Sequence, residues 1–126
     1  EPEPAWQNLG LEFGAVVDSV GSDVTTLAPG DRVMGFGKRC LQRFMTMKAE
    51  ALTPVPDHIS LAQASTIPSA FSTAHYALNH MGRMRKGDKV FIHVATGGVG
   101  MAARKTSTAA GSGCGACDGF PVLGLC

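Results

Sequence analysis

The clearest chemical signal in the sequence is a cluster of glycines that follows an apolar run. Residues 98–103 read Gly-Val-Gly-Met-Ala-Ala and fit the pattern G-x-G-x-x-G/A, with Ala103 in the last position. The apolar run 89–94 predicts a buried strand, and residues 101–105 can begin a helix. Glycines in such a turn let backbone N–H groups approach a pyrophosphate, and the helix N-terminus attracts its charge. The pattern is compatible with a dinucleotide-binding loop and equally with an ordinary glycine-rich turn between a strand and a helix.

The other half of a nucleotide-binding unit is not evident in the sequence. Such a unit places an acidic residue about 20 positions further on, at the end of a second strand, where it meets the ribose. Asp118 lies at about that distance, but residues 113–117 read Gly-Cys-Gly-Ala-Cys, a composition that does not predict an apolar strand. We therefore interpret Asp118 as a coincidental match.

The cysteines are too unevenly placed to predict a disulfide framework. Cys114, Cys117 and Cys126 crowd the C-terminal end, whereas Cys40 stands alone. A C-x-x-C pair becomes redox-active in a βαβ context or binds zinc beside a second pair, and the sequence offers neither context. We interpret the pair as incidental and Cys40 as a small apolar filler.

The four histidines are given structural rather than catalytic interpretations. His75 is expected on the interface of a helix and His93 inside the core, within the predicted strand. His58 and His80 are expected to face solvent.

Composition excludes several classes of partner and location. Lys and Arg number 11 and Asp and Glu 10, so a net charge of +1 argues against broad binding of nucleic acid or anionic membrane. No apolar run approaches the roughly 20 residues of a membrane-spanning helix, and the first residues do not resemble a signal peptide. We expect a cytoplasmic protein. Because the first residue is Glu1, we also expect a fragment, a processed chain or a partial gene product.

Periodicity predicts a β-rich first part followed by helices. Strands are predicted by alternation and by flanking turns at 9–20, 32–36, 43–48 and 51–55. Ser60 and Gln63 form a capping box that begins a short helix over 61–66. Pro68 opens a second helix, which Gly82 ends, and its apolar stripe comprises Phe71, Ala74, Leu78 and Met81.

Several motifs in order resemble one enzyme family. The motifs are Gly10-Leu11-Glu12-Phe13, Pro29-Gly30-Asp31-Arg32-Val33-Met34-Gly35, Pro56-Asp57, Ile67-Pro68, Thr73-Ala74-His75-Tyr76-Ala77-Leu78, Lys86-Gly87-Asp88-Lys89-Val90 and His93-Val94-Ala95-Thr96-Gly97-Gly98-Val99-Gly100. Over residues 9–103 the chain resembles the medium-chain dehydrogenase/reductase superfamily, and most of all the enoyl reductase domain of fungal highly reducing polyketide synthases. Quinone-oxidoreductase-like proteins are the next most similar.

The resemblance implies an α/β fold with a β-barrel. The expected order is a partial GroES-like β-barrel at 1–56, a helical hinge at 57–86, the first βα unit of a Rossmann fold at 87–103 and an aberrant or disordered tail at 104–126. The family's active site lies in the cleft between its two domains. The tail leads us to suspect a frameshift, a misread intron or an early stop near codon 104.

The resemblance also implies a reaction and a cofactor. Family members reduce the α,β-double bond of an acyl thioester, carried on an acyl carrier protein, with hydride from NADPH. The implied cofactor residues are Thr73, Ala95, Thr96, Gly97, Gly98, Val99, Gly100 and Met101. Phe44 stands where relatives carry a substrate-near tyrosine, and without an O–H it donates no proton. The alternative interpretation of Phe44 is a core residue of a barrel strand.

Other features of the resemblance bear on metal, proton donor and partners. Zinc-dependent relatives carry His where this chain has Leu11, so the resemblance is to the zinc-independent branch and no metal is expected. The family's lysine–aspartate proton donor lies beyond the matched region, so no catalytic residue is assigned. The resemblance allows a homodimer of the full-length parent. The basic residues Arg83, Arg85, Lys86 and Lys89 fit a carrier protein or a 2′-phosphate, or simply a solvated surface.

Three functions remain open from the sequence. The first is a fragment of an NADPH-dependent enoyl reductase, expected to be inactive by itself. The second is a fragment of a free-standing quinone or alkenal oxidoreductase. The third is a non-catalytic remnant or interaction module.

Overall fold

The computed structural model describes residues 9–117 and divides the chain into two compact units between Ser69 and Ala70. The first unit is built on an antiparallel sheet and two short helical segments. The second contains a parallel strand pair joined by a helix. The chain is therefore of mixed α and β type, as the sequence predicts.

The first sheet has three strands in the order β1 (Glu12–Val16), β2 (Arg32–Phe36) and β3 (Thr53–Pro54). All pairs are antiparallel, and the register places Gly14 opposite Met34. A turn at Gly30, whose φ is +95°, reverses the chain before β2. That conformation favours glycine, so the Pro29-Gly30 signal is confirmed.

The strand prediction for 43–48 is wrong, and those for 9–20 and 51–55 are too long. Residues 43–48 form no strand, and the last prediction shrinks to Thr53–Pro54. The neighbouring segment 37–41 does find a partner, because its backbone hydrogen-bonds to residues 9–11. The Cys40 N–H donates to the Gly10 carbonyl at 3.0 Å. A strand forms only where a partner backbone is in register, and local propensity does not supply that partner.

Gly14 makes a close backbone contact that fixes the first helix against the sheet. A Cβ at this position would overlap the Leu61 carbonyl oxygen and lie 3.1 Å from the Leu61 carbonyl carbon. Both obstacles are backbone atoms, which cannot swing away. Gly14 therefore stands where this fold leaves room for nothing larger than glycine.

The helix α1 (Leu61–Ala64) begins at the predicted capping box. The Ser60 hydroxyl accepts from the Gln63 N–H at 3.2 Å, and the Gln63 side chain accepts from the Ser60 N–H at 2.9 Å. Arg32 holds the segment before the helix, because its guanidinium donates to the carbonyls of Asp57 and Ile59.

The second helix, α2 (Pro68–His75), begins at the predicted proline and continues as a wider π-helical turn over Tyr76–Met81. Gly82 ends this turn with φ of −78°, so it stops the helix without adopting the left-handed conformation. The predicted apolar stripe is only partly buried. Ala74 is buried and Leu78 half-buried, whereas Met81 is 65% exposed because the π turn rotates it out of the 3.6-residue repeat.

The second unit contains β4 (Lys89–His93), α3 (Gly98–Ala109) and β5 (Gly113–Cys117), with the two strands parallel. A helix joining two parallel strands is a βαβ unit. Regular structure thus continues past residue 103, into the segment that the sequence predicts to be an aberrant or disordered tail. Strand β5 lies directly before Asp118, where the sequence predicts no strand. Asp118 itself lies outside the described residues.

Small side chains form the core of the second unit. The buried cluster comprises Ala74, Ile92, Ala95, Ala102 and Ala103, and Ala70, Leu78 and Val90 pack against it. Alanines let α3 lie close to β4, which explains how a helix with few large apolar residues still packs. Within residues 9–117, no helix has the length and apolar character needed to cross a membrane.

Candidate functional site

The glycine loop begins with a sharp change of backbone direction at the end of β4. Val94 follows the strand directly and has φ of +54°, in the left-handed region. Its carbonyl accepts a hydrogen bond from the Gly97 N–H at 3.1 Å and closes a tight turn over residues 94–97. The chain then enters α3 at Gly98.

The N-terminus of α3 has the features of an anion site. The N-cap residue is Gly97, which has no side chain to occupy the first free amides of the helix. No acidic residue stands in the first turn. A Cβ at Gly98 would meet nothing within 4 Å, so the space over this turn is open. The twelve-residue helix thus presents free N–H groups and its positive dipole end, an arrangement that can attract an anion.

The second glycine of the motif has a different role. A Cβ at Gly100 would overlap the Val94 carbonyl oxygen and lie 2.7 Å from the Ala95 Cα. Gly100 is therefore needed to let α3 pack on the loop, whereas Gly98 leaves space for a ligand. Ala95 is fully buried beneath the loop. The structure separates the two glycines into a packing position and an open position.

The other predicted cofactor residues lie on the surface around this loop. Thr96, Val99 and Met101 are exposed, with Val99 47% and Met101 51% accessible. Thr73 is exposed on α2, next to Ala74, which packs in the same cluster as Ala95 and Ala102. The helix that bears Thr73 is thus anchored beside the glycine loop.

Phe44 is not a core residue. Its side chain is 67% exposed, and the Arg43 guanidinium lies 5.4 Å from its ring centroid. The alternative interpretation of Phe44 as a buried barrel residue is therefore wrong for the described chain. The reason is that residues 43–48 form a loop, which does not direct alternate side chains into a core.

The histidines are on the surface. His93 is exposed and meets the edge of Phe91, so the expectation of a core histidine is wrong. His93 lies on the face of β4 opposite to the buried Ile92. His80 stacks on Tyr76, and a ring nitrogen of His75 is 2.8 Å from the Asn79 amide. His58 is exposed as expected.

Cys40 is buried in the first unit, as the sequence analysis expects for an apolar filler. Its Sγ donates to the Gly37 carbonyl at 3.4 Å. Burial, helped by the negative charge of Glu12, raises the pKa of the Cys40 thiol above its ordinary value. Within residues 9–117, no group of three or more His, Cys, Asp or Glu residues is arranged to hold a metal ion.

Two features of the structure have no local signal in the sequence. The Glu12 carboxylate accepts from the Ser69 N–H at the start of α2, 57 positions along the chain. Val94 is a β-branched residue in a left-handed conformation. Nothing in a local pattern signals either feature, because one is a long-range contact and the other goes against the residue's preference.

Sequence comparison finds polyketide synthases. The chain is 42% identical over 109 residues to the erythronolide synthase EryA2 of Saccharopolyspora erythraea, covering 86% of the chain and 3% of the synthase. It is 45% identical over 105 residues to a mycocerosic acid synthase-like polyketide synthase of Mycolicibacterium smegmatis, covering 82% and 5%. A highly reducing polyketide synthase of the fungus Didymella fabae matches at 37% over 95 residues, covering 75% and 5%. No protein-family model matches the chain.

Structure comparison finds reductases. The CurK enoyl reductase superposes with a TM-score of 0.82 at 34% identity, over 88% of this chain and 34% of that enzyme. The quinone oxidoreductase from Coxiella burnetii gives 0.74 at 32% identity, over 84% and 35%. The mycobacterial Rv1454c protein, solved with NADPH, gives 0.72 at 30% identity, over 83% and 34%. The chain spans about a third of the length of these solved proteins.

These likenesses agree with the ordered motifs and with the glycine loop between β4 and α3. The predicted resemblance is confirmed: the chain is similar to enoyl reductases and quinone oxidoreductases of the medium-chain dehydrogenase/reductase superfamily.

Proposed function

We propose that this chain is the nucleotide-loop part of an NADPH-dependent enoyl reductase of a polyketide synthase. The observation that carries the proposal is the open N-terminus of α3, where Gly97 leaves the first amides uncapped and Gly98 leaves space above them. This arrangement fits a pyrophosphate. Likeness to polyketide synthases at 42% and 45% identity supports the choice of parent enzyme.

The predicted site residues have distinct proposed roles in binding. The amides at the start of α3 bind the pyrophosphate, and Gly100 holds the helix against Val94 and Ala95. Thr73 contacts the nicotinamide carboxamide from α2. Phe44 lines the acyl chain as an apolar surface. When bound, reduced nicotinamide supplies a hydride to the β-carbon of an α,β-unsaturated acyl thioester presented on an acyl carrier protein, and protonation at the α-carbon completes the reduction.

The first unit is proposed to be part of a GroES-like barrel and the second to be the beginning of a Rossmann fold. The chain spans 34% of the CurK enoyl reductase, so the residues that complete catalysis are expected in the rest of a longer protein. We infer that the 126-residue chain binds the cofactor without sustained turnover.

Titration of the purified chain with NADPH tests the proposal, with nicotinamide fluorescence and calorimetry as readouts. Saturable binding at micromolar NADPH is expected, with competition by ADP-ribose 2′-phosphate, which lacks the nicotinamide. Absence of binding up to millimolar NADPH would contradict the proposal and favour a non-catalytic remnant.

A quinone or alkenal reductase is the second candidate, since the Coxiella burnetii quinone oxidoreductase superposes with a TM-score of 0.74. The DNA sequence that flanks the coding segment distinguishes the enoyl reductase from the quinone or alkenal reductase. Flanking synthase domains in the same reading frame would support the enoyl reductase, and a free-standing reductase gene would support the second candidate.

A further inference from the structure

Two loops of opposite charge lie in the first unit. Residues 17–31, called here the acidic turn, contain three Asp residues and no Lys or Arg. Residues 37–48, called the basic loop, contain four Lys or Arg residues and no Asp or Glu, and the next acidic residue is Glu50. The net charge of the whole chain is only +1, so opposite charges are separated along the sequence rather than mixed.

Hydrogen bonds place the two loops at opposite ends of the antiparallel pair of β1 and β2. The acidic turn closes one end, where the Val17 N–H donates to the Asp31 carbonyl at 2.9 Å. The basic loop begins at the other end, where the Gly37 N–H donates to the Leu11 carbonyl at 2.8 Å. Each strand has five residues. The two ends are therefore about 14 Å apart, the rise of four residue steps in an antiparallel strand.

Both loops also present apolar side chains to solvent. In the basic loop Leu41 is 75% and Phe44 67% exposed, and the Arg43 guanidinium lies beside the Phe44 ring. The Leu41 N–H donates to the Leu9 carbonyl at 3.1 Å, so an anchored backbone holds this side chain outward. In the acidic turn Val20 is exposed. Aromatic residues and arginine are enriched at protein–protein contacts, so the basic loop has the composition of a contact surface.

The opposite charges next to the two loops are engaged inside the first unit. Arg32, which follows the acidic turn, donates to the carbonyls of Asp57 and Ile59. Glu12 lies at the end of the strand pair where the basic loop begins, and its carboxylate accepts from the Ser69 N–H. Backbone groups of the same unit thus hold both side chains. The acidic turn and the basic loop each keep an excess of one sign of charge.

We propose that the acidic turn of one copy of this chain docks on the basic loop of a second copy. The two surfaces are different and lie at opposite ends of one strand pair, so the contact is head-to-tail. A dimer formed in this way leaves one free surface of each kind, to which further copies add until a ring closes. The acidic turn disfavours a polyanion such as DNA as the occupant of the basic loop. The inference is independent of the proposed function, because it does not involve the glycine loop.

Analytical ultracentrifugation of the purified chain over a range of protein concentrations tests the proposal. The mean mass should rise with concentration beyond that of two copies. Raising NaCl from about 20 mM to about 500 mM should weaken the association about tenfold, because salt screens the charges. A chain that stays monomeric in low salt, that stops at two copies, or that associates equally in high salt would overturn the proposal. Binding of a monomeric chain to phosphatidylserine vesicles would also overturn it.

Two charge-reversed variants test the head-to-tail geometry. Lys38→Glu/Arg43→Glu removes the charge of the basic loop and keeps the acidic turn, whereas Asp18→Lys/Asp23→Lys does the reverse. All four side chains are exposed, so both variants should keep the circular dichroism spectrum of the unmodified chain. Each variant should be monomeric by itself. Their mixture should form a complex of one copy of each, because one intact acidic turn then meets one intact basic loop.

A matched control carries the same change of charge elsewhere. Arg104 and Lys105 are exposed on α3 in the second unit, and Arg104→Glu/Lys105→Glu should associate like the unmodified chain. Loss of association in this control would reduce the effect to net charge and overturn the proposal. A mixture of the two loop variants that stays monomeric would overturn it as well, since only a head-to-tail contact is restored by mixing. The salt dependence of the unmodified chain decides the proposal even where a variant fails to fold.

Discussion

The Glu12 carboxylate accepts a hydrogen bond of 2.9 Å from the backbone N–H of Ser69, in the first turn of α2. Glu12 is in β1 and is half-buried, so the bond joins the first strand to the start of the helix. A carboxylate at a helix N-terminus satisfies a free amide and interacts favourably with the helix dipole. The motif residue Glu12 therefore has a structural role that is independent of any ligand.

Replacing Glu12 by alanine should destabilise the chain by about 1–2 kcal/mol, because Ser69 loses its acceptor in a partly buried setting. Glu12→Gln keeps an acceptor without the charge and should lose less. Urea unfolding followed by circular dichroism measures both. Glu50→Ala is the control, since Glu50 is exposed, and it should change stability by about 0.5 kcal/mol or less. Equal losses of unfolding free energy for Glu12→Ala and Glu50→Ala would contradict a stabilising role for the hydrogen bond between Glu12 and Ser69.

Gly100→Ala should destabilise the second unit by about 1–3 kcal/mol. The added methyl group would overlap the Val94 carbonyl and crowd the Ala95 Cα, and both are backbone atoms. Thermal unfolding measures the loss. An unchanged melting temperature would show that α3 does not pack on the loop in the way described.

Gly98→Ala should weaken NADPH binding without destabilising the chain, in contrast to Gly100→Ala. A Cβ here meets nothing within 4 Å, and alanine is the better helix former, so stability should hold or rise slightly. The methyl group would occupy the space proposed for the pyrophosphate, and NADPH affinity should fall about tenfold, or by about 1.4 kcal/mol. Calorimetry on the folded variant decides this, and unchanged affinity would place the pyrophosphate elsewhere.

Gly14→Ala should destabilise the first unit by about 1–3 kcal/mol, because the new Cβ would overlap the Leu61 carbonyl oxygen. The matched variant is Gly21→Ala, where a Cβ meets nothing within 4 Å. Chemical unfolding of the two proteins side by side measures the difference. A Gly14→Ala protein as stable as Gly21→Ala would show that the first helix does not lie against β1.

Stability should depend on pH through Cys40. Burial raises the pKa of this thiol above its ordinary value of 9.0, so the folded chain holds the proton more tightly than the unfolded chain. The resulting stabilisation is complete below pH 9.0 and is lost as the pH rises through the higher pKa of the folded state. Cys40→Ala lacks this dependence. Above pH 9.0 the unmodified chain should therefore lose unfolding free energy relative to Cys40→Ala. A difference between the two proteins that stays constant up to about pH 10.5 would contradict the raised pKa of Cys40.

Local signals in the sequence identified the features that depend on a few neighbouring residues. The capping box at Ser60 and Gln63, the turn at Gly30 and the glycine loop after the strand near Ile92 are all confirmed by the structure. Each involves hydrogen bonds or backbone angles that span only a few residues. The order of the motifs also predicted the similarity to enoyl reductases and quinone oxidoreductases, because sequence motifs can be compared without a structure.

Tertiary structure decided the features that depend on distant backbone. Residues 43–48 have the composition of a strand but no partner in register, so they form a loop. The segment 104–117 lacks an apolar stripe, but alanines and a buried serine, Ser107, let α3 continue and β5 pair with β4. Glu12 with Ser69 and Gly14 with Leu61 meet only after folding, and Val94 is held in its left-handed conformation by the loop around it. Sequence alone therefore located the glycine loop between β4 and α3, and packing between backbones determined that Gly100 is a packing position whereas Gly98 has open space beside it.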